Sequence, residues 1–347
     1  MRFFNRNSFG ECLLNISKVL LLIILLILVP QITFNVTRAQ NSIVYGMPFW
    51  RFLVPAIFLG LAAVISMHLL PTHGVGHVRR KTLRNFSWLV WLLVQYVYIW
   101  GTYSVASSDC WVVHDFAFDF ARNSNIFMWY VEYFAMYSNN ILLGMVSFAI
   151  QKIVPLACEQ DMWFLMSCLA CLLADLAIYW TLKLIVHNFG EGYYFISFVA
   201  LCLLVGLSEE ATILYSDILS LWTIPFAAYH IGVASATEGK SKTVMYIKAG
   251  AALGFGGSIK PQILIFLIAW LIVSLIRYFI QRNAATEMRA ILVGVLVCVM
   301  VCTGWSYVGK LWYCSNVAPR YEEYPQEYLR DNNFPTLHWV NMGLNRD

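Results

Sequence analysis

Asp109-Cys110-Trp111-Val112-Val113-His114-Asp115-Phe116-Ala117-Phe118-Asp119 is the longest acidic interruption in an otherwise oily chain. It opens a polar stretch that closes at Tyr133-Phe134-Ala135-Met136-Tyr137-Ser138-Asn139-Asn140. The surrounding sequence is 60% hydrophobic and 12% charged, with a mean hydropathy of +0.66. An average soluble domain carries roughly a quarter charged residues. This chain of 347 residues therefore has too few charges to solvate itself as a globule. Its apolar runs reach the roughly 20 residues that cross a bilayer. The composition defines an all-α polytopic membrane protein.

Outward from the quoted stretch, charge sets the topology. Residues 1–18 are basic (Arg2, Arg6, Lys18) and precede an apolar run at 19–36. Val29-Pro30-Gln31 lacks the small residues of a signal cleavage site, so this run is read as the first membrane helix. A second follows at 50–70. His77-Val-Arg79-Arg80-Lys81-Thr-Leu-Arg84 is the densest basic cluster, which the positive-inside rule assigns to the cytoplasm. A helix at 86–104 then brings Asp109 out on the other face. The net charge of +4 reflects such loops rather than a nucleic-acid surface.

Residues 105–140 are too polar to cross and too aromatic for a solvated linker. Trp111, Phe116, Phe118, Phe120, Phe127, Trp129, Tyr130, Tyr133 and Phe134 suit helices lying at the interface. Apolar runs follow at 141–156, 162–186, 193–207 and 214–236, before an inner loop at Thr237-Glu-Gly-Lys240-Ser-Lys242. Four runs between an outer and an inner loop break parity, so one must fail to span. The short run 193–207 is the choice, which puts Glu209, Glu210 and Asp217 outside. Runs at 244–259 and 262–276 flank Gly256-Gly257-Ser258-Ile259-Lys260-Pro261. Arg277, Arg282 and Arg289 mark another inner loop, and a helix at 290–312 leads out to a tail at 313–347. The expectation is one membrane domain, 1–312, of about 9–11 spans, with an extracytoplasmic tail. Cys110 and Cys314 alone among the nine cysteines fall in outer segments, and no paired-cysteine metal spacing occurs.

Several polar groups are candidates for chemistry. Asp109, after Ser107-Ser108, has the position of a helix cap. Asp115 and Asp119 lie four apart on one face of the helix it would start. Three carboxylates near one site repel unless a cation or hydroxyl substrate uses them. Asn139-Asn140 opens a helix, as caps do, but the doubling after an aromatic run hints at a ligand. Glu209-Glu210 and Asp217 bracket another helix start, where negative charge is favoured. Carboxylates so near a bilayer are uncommon and more often functional than not. Lys260 sits in a glycine-rich break; it is either a snorkelling lysine or a phosphate contact. The break lacks the spacing of a nucleotide P-loop. His338-Trp339 in the tail could dock over such a site.

These residues resemble those of a known family. An early outer-loop Asp (Asp109), Tyr133-Phe134-Ala-Met-Tyr137-Ser138-Asn139-Asn140, Tyr215-Ser216-Asp217, Ile259-Lys260-Pro261 and Phe334-Pro335-Thr336-Leu337-His338-Trp339-Val-Asn-Met342-Gly343-Leu344 are similar to motifs of polytopic GT-C glycosyltransferases. The nearest relatives would be bacterial enzymes related to dolichyl-phosphate-mannose protein mannosyltransferases. The resemblance implies a GT-C-like bundle in a bacterial cytoplasmic membrane, with its site facing outward. It implies inverting transfer of a sugar from a polyprenyl-phosphate carrier to a glycan, lipid or protein acceptor. Asp109 would be the general base. Asp115, Tyr137, Asn139, Asn140, Glu210, Asp217, Lys260 and His338 would bind substrate. A divalent metal ion is the one cofactor admitted. Ser138 departs from the family, which usually has Pro there, and a longer outer region is implied beyond Asp347.

Two other classes compete. A polyprenyl-lipid or solute transporter would place its charges near mid-membrane, often in repeated halves. Here the polar groups gather at one edge and no internal repeat is visible. A non-catalytic subunit of an envelope-assembly complex is the third reading.

Overall fold

In a computed structural model, residues 77–103, 108–122, 127–154, 158–280, 285–317 and 319 are described. The expected helices at 19–36 and 50–70, and His338, lie outside them. Every regular element among the described residues is helical.

The basic cluster opens α1 (His77–Thr102), whose 26 residues rise about 39 Å. Next comes a layer of shorter elements: α2 (Ser108–Ala121), α3 (Met128–Met136), a 3₁₀ turn at Ser138–Asn140, and α4 (Ile141–Ile153). The α3 and α4 segments meet at 102°. α4 folds back along α2, where Gln151 Nε2 donates to the His114 carbonyl at 3.3 Å and Lys152 Nζ to that of Ala121 at 3.0 Å. The aromatics expected at the membrane interface instead fill this layer. Phe116, Tyr130 and Phe134 are fully buried, and Phe116 and Phe134 meet edge to face at 4.8 Å. Phe127 remains exposed. The reason is the fold-back, which gives the rings a protein surface to bury against.

α5 (Glu159–Phe189) is the first long apolar span after the layer. Its start lies close enough to Asp115 and Asp119 for the Glu159 charge to act on both carboxyls. Its far end leads through a 3₁₀ turn, Glu191–Tyr193, where Glu191 pairs with Arg84 of the basic cluster. α5 thus runs from the Asp109 end of the bundle to the Arg84 end. The chain returns through α6 (Tyr194–Leu201) and a π-helical turn at Cys202–Gly206. This return tracks α1: Trp88 Nε1 donates to the Tyr194 hydroxyl at 3.1 Å, and the Tyr98 hydroxyl to the Leu207 carbonyl at 3.1 Å. It then reaches Leu214, whose carbonyl accepts from Cys110 Sγ and His114 Nε2 of α2.

Residues 141–153 lie against α2, and 194–206 run back alongside α1 towards the Asp109 end. A helix over Glu191–Gly206 is short for a span, but the chain that follows it to Leu214 makes up the distance. Between α1 and α5 one carboxylate is buried inside the bundle: Asp175 Oδ1 accepts from Trp91 Nε1 at 2.7 Å and Gln95 Nε2 at 3.2 Å. Its Oδ2 is buried with no hydrogen-bond partner among the described residues, a costly arrangement where no water competes. Asp175 also corrects the expectation that all polar groups gather at one edge.

α7 (Ser216–Leu221) and α8 (Thr223–Ser235) form one candidate span away from the Asp109 end. α9 (Gly239–Ile259) comes back, and a 3₁₀ turn at Pro261–Ile263 leads into α10 (Leu264–Ile280); α11 (Ala285–Asn316) closes the bundle. Among the described residues four helices are long and apolar enough to cross a membrane, by length and composition. α9 and α11 touch backbone to backbone. A Cβ on Gly250 would lie 1.9 Å from the Gly294 carbonyl oxygen, and one on Gly254 would lie 2.4 Å from that of Cys298. Gly250-Ala-Ala-Leu-Gly254 is the small-xxx-small spacing that permits such an approach in membranes.

Candidate functional site

Asp109 stands in the first turn of α2, its carboxylate toward the segment before α7. Asp109 Oδ2 accepts from the Tyr215 hydroxyl at 3.3 Å. That hydroxyl accepts from Asn140 Nδ2 at 3.0 Å, and the same amide donates to the Tyr133 hydroxyl at 2.6 Å. Asn139 Nδ2 completes the chain by donating to Asn140 Oδ1 at 3.2 Å. Asn140 is 1% exposed, so these phenols replace water as its partners. The 3₁₀ turn places both asparagines where the 102° bend brings α4 back under α3. Tyr137 stacks on Tyr133 at 4.9 Å. Burial, and then the Asp109 charge, push the Tyr215 phenol up to about 12. Burial pushes Tyr133 up as well, so both remain hydroxyl donors at neutral pH.

Lys260 adjoins this network. Proline at 261 biases the residue before it towards extended backbone, and Lys260 has φ −135° and ψ 102°, ending α9. Its ammonium pairs with Asp217, two residues beyond Tyr215. Ile259 packs in one apolar cluster with Tyr133, Ile141 and Leu219, against which Tyr137 and Tyr215 also lie. Burial lowers the Lys260 pKa from its ordinary value. Of the sequence candidates, Asp109, Tyr137, Asn139, Asn140, Asp217 and Lys260 are therefore neighbours.

Two described candidates stand apart. Asp115 lies six residues from Asp109, about 240° around the helix, and receives the Tyr130 hydroxyl. Burial raises its pKa, the Tyr130 bond opposes that, and Glu159 adds to it. Glu210 is exposed on a 3₁₀ turn, Glu209–Thr212, that packs on α5. The next residue's carbonyl accepts from Cys171 Sγ, 12 residues along α5 from Glu159, or about 18 Å. No described hydrogen bond links Glu210 to the Asp109 network. Cys110 and Cys314 are both free thiols. No group of three or more His, Cys, Asp or Glu among the described residues is placed to hold a metal ion.

The sequence reading missed the bridging roles of Tyr133 and Tyr215, although both stand in its quoted motifs. It also gave no role to His114. That imidazole is fully buried between Ser147 Oγ at 2.8 Å from Nδ1 and the Leu214 carbonyl at 2.5 Å from Nε2. The carbonyl fixes the proton on Nε2, leaving Nδ1 to accept from the serine. Burial pushes the His114 pKa down to about 4, with the Leu214 bond acting the other way. A folded-state value below the ordinary 6.5 means the unfolded chain takes up the proton first as pH falls. The contribution of His114 is thus complete above pH 6.5 and is lost between 6.5 and about 4, amounting to roughly 3 kcal/mol. Thermal midpoints at pH 7 and 4.5 should fall further for wild type than for His114→Gln; equal falls would contradict this.

A bundle of long apolar helices, with a buried carboxylate among them and a polar layer at one end, is that of a multi-pass integral membrane protein. Residues 6–347 match the family described as conserved hypothetical integral membrane proteins, and the chain belongs to that family. No curated protein and no solved structure matches it.

Proposed function

We propose that this protein is a GT-C-like membrane glycosyltransferase that moves a sugar from a polyprenyl-phosphate carrier to an acceptor hydroxyl at the outer face. The observation that carries the reading is the meeting, at one end of the bundle, of Asp109, Asn140, Tyr215, Asp217 and Lys260 from four separate stretches of chain. A base, fixed hydroxyl donors and a cation side by side are what displacement at an anomeric carbon requires.

In this reading the acceptor oxygen bonds to the anomeric carbon as its proton passes to the Asp109 carboxylate. The bond from that carbon to the carrier phosphate breaks, and its electron pair leaves with the polyprenyl phosphate. Lys260 stabilises the charge that grows there, sharing its three N–H donors between phosphate and Asp217. Asn140, consumed by Tyr133 and Tyr215, positions rather than binds. Tyr137 and Asn139, both half-buried, are nearer to open space.

Purified protein in lipid nanodiscs, given radiolabelled polyprenyl-phosphate hexose and a panel of glycan, lipid and peptide acceptors, tests this. Labelled acceptor together with freed polyprenyl phosphate supports it. Movement of intact labelled donor between leaflets, with no cleavage at the anomeric carbon, would overturn it in favour of transport.

A further inference from the structure

We propose that the opposite end of the bundle binds an anionic phospholipid of the inner leaflet through its phosphate, independently of any sugar transfer. A cleft of about 120 Å³ opens there, lined by Tyr246 of α9, Trp270, Val273, Arg277 and Tyr278 of α10, and Glu287 of α11. Tyr246 lies 13 residues before Ile259 on α9, which puts the cleft about 20 Å from the Lys260 end. Lys240, Lys242, Arg277 and Arg289 cluster in sequence around the ends that form it. The positive-inside rule makes that side cytoplasmic.

With Lys242 beside it, the cleft brings two cations, Lys242 and Arg277, to one acid. Glu287, its one acid, is already engaged: Oε1 accepts from the Tyr246 hydroxyl at 2.9 Å, and Oε2 lies 3.9 Å from Lys242 Nζ. Among the described residues no carboxylate pairs with Arg277. A planar guanidinium beside a tyrosine hydroxyl, in a cleft with aromatic walls, suits a phosphodiester. Arg277 is exposed at the mouth of that cleft, where a headgroup can reach it.

The source of the phosphate follows from the outer wall. Val273, itself a wall of the cleft, is exposed and continues with Ile265, Ala269 and Ile276 as an apolar strip along α10 at helical spacing. An acyl chain lies along that strip while the headgroup reaches Arg277. Basic pockets between helices on the cytoplasmic side are suited to anionic headgroups. A soluble phosphate would make no use of the strip.

The full chain in detergent, with added phosphatidylglycerol, phosphatidylcholine or soluble glycerol phosphate, tests the assignment by native mass spectrometry and thermal midpoint. Phosphatidylglycerol should remain bound and raise the midpoint, and phosphatidylcholine should do neither. Arg277→Ala should weaken phosphatidylglycerol binding at least tenfold while matching wild type in phosphatidylcholine, and Arg277→Lys should fall between. Val273→Trp, which narrows the cleft from its exposed side, should weaken binding in the same way and serves if Arg277→Ala does not fold. Equal phosphatidylglycerol binding by wild type and either variant would overturn the site. An equal shift with soluble glycerol phosphate would overturn the lipid.

Discussion

If the proposed glycosyl transfer is this protein's reaction, Asp109→Asn should lower it by at least about 100-fold, the lower end of what a positioned general base contributes. The fold should survive, because an asparagine side-chain oxygen still accepts the Tyr215 hydroxyl that Asp109 accepts at 3.3 Å. What is lost is the proton acceptor. Initial rates with a labelled polyprenyl-phosphate hexose measure the effect, and a donor-binding assay on the same preparation shows whether recognition persists. Near-wild-type turnover with Asn at 109 would remove the carboxylate from the mechanism. Loss of donor binding as well as rate would make Asp109 a binding residue instead.

The second large effect is on stability. Gly250→Val should destabilise the bundle by about 3 kcal/mol, at the upper end of the range for overpacking. The atom its Cβ would strike is not the flexible end of a side chain but the Gly294 carbonyl, 1.9 Å away. No rotamer change relieves that clash, so the α9 and α11 backbones must separate. Gly304→Ala is the matched control, since a Cβ there meets nothing within 4 Å. Thermal midpoints in one detergent should drop sharply for the first and hardly move for the second. A small drop for Gly250→Val would mean that the helices part easily.

The helical class was legible because apolar runs and basic loops are one-dimensional signals. The elements at 141–153, 159–189 and 239–259 lie close to where the hydropathy put them. What the runs cannot encode is direction. Val-, Leu- and Ile-rich residues at 141–153 are as apolar as a span, yet Gln151 and Lys152 are spent on carbonyls of α2, which holds this helix in the layer. The Arg84–Glu191 pair, 107 residues apart in sequence, decides the direction of α5, and no local pattern predicts it.

The candidate site shows the same division. Asp109, Asn140, Asp217 and Lys260 could be nominated because polar residues at helix ends stand out in an oily chain. Asp115 was nominated on equal grounds, but helical phase turns it to Tyr130. Tyr215 stands in the motif Tyr215-Ser216-Asp217, but nothing in one dimension shows that its hydroxyl joins Asn140 to Asp109. Asp175, the carboxylate inside the bundle, went unremarked in a run whose neighbours are all apolar or small.

The glycine contact between α9 and α11 has a mechanical consequence. With no cushion of side chains between their backbones, the two rods cannot slide or roll separately; they behave as one stiff beam. One end of that beam carries Lys260 and, through the Tyr313 hydroxyl 3.4 Å from the Val131 carbonyl, braces α3. The other carries Tyr246 and Glu287. A tilt imposed at the Tyr246 end is therefore delivered undamped to the Lys260 end.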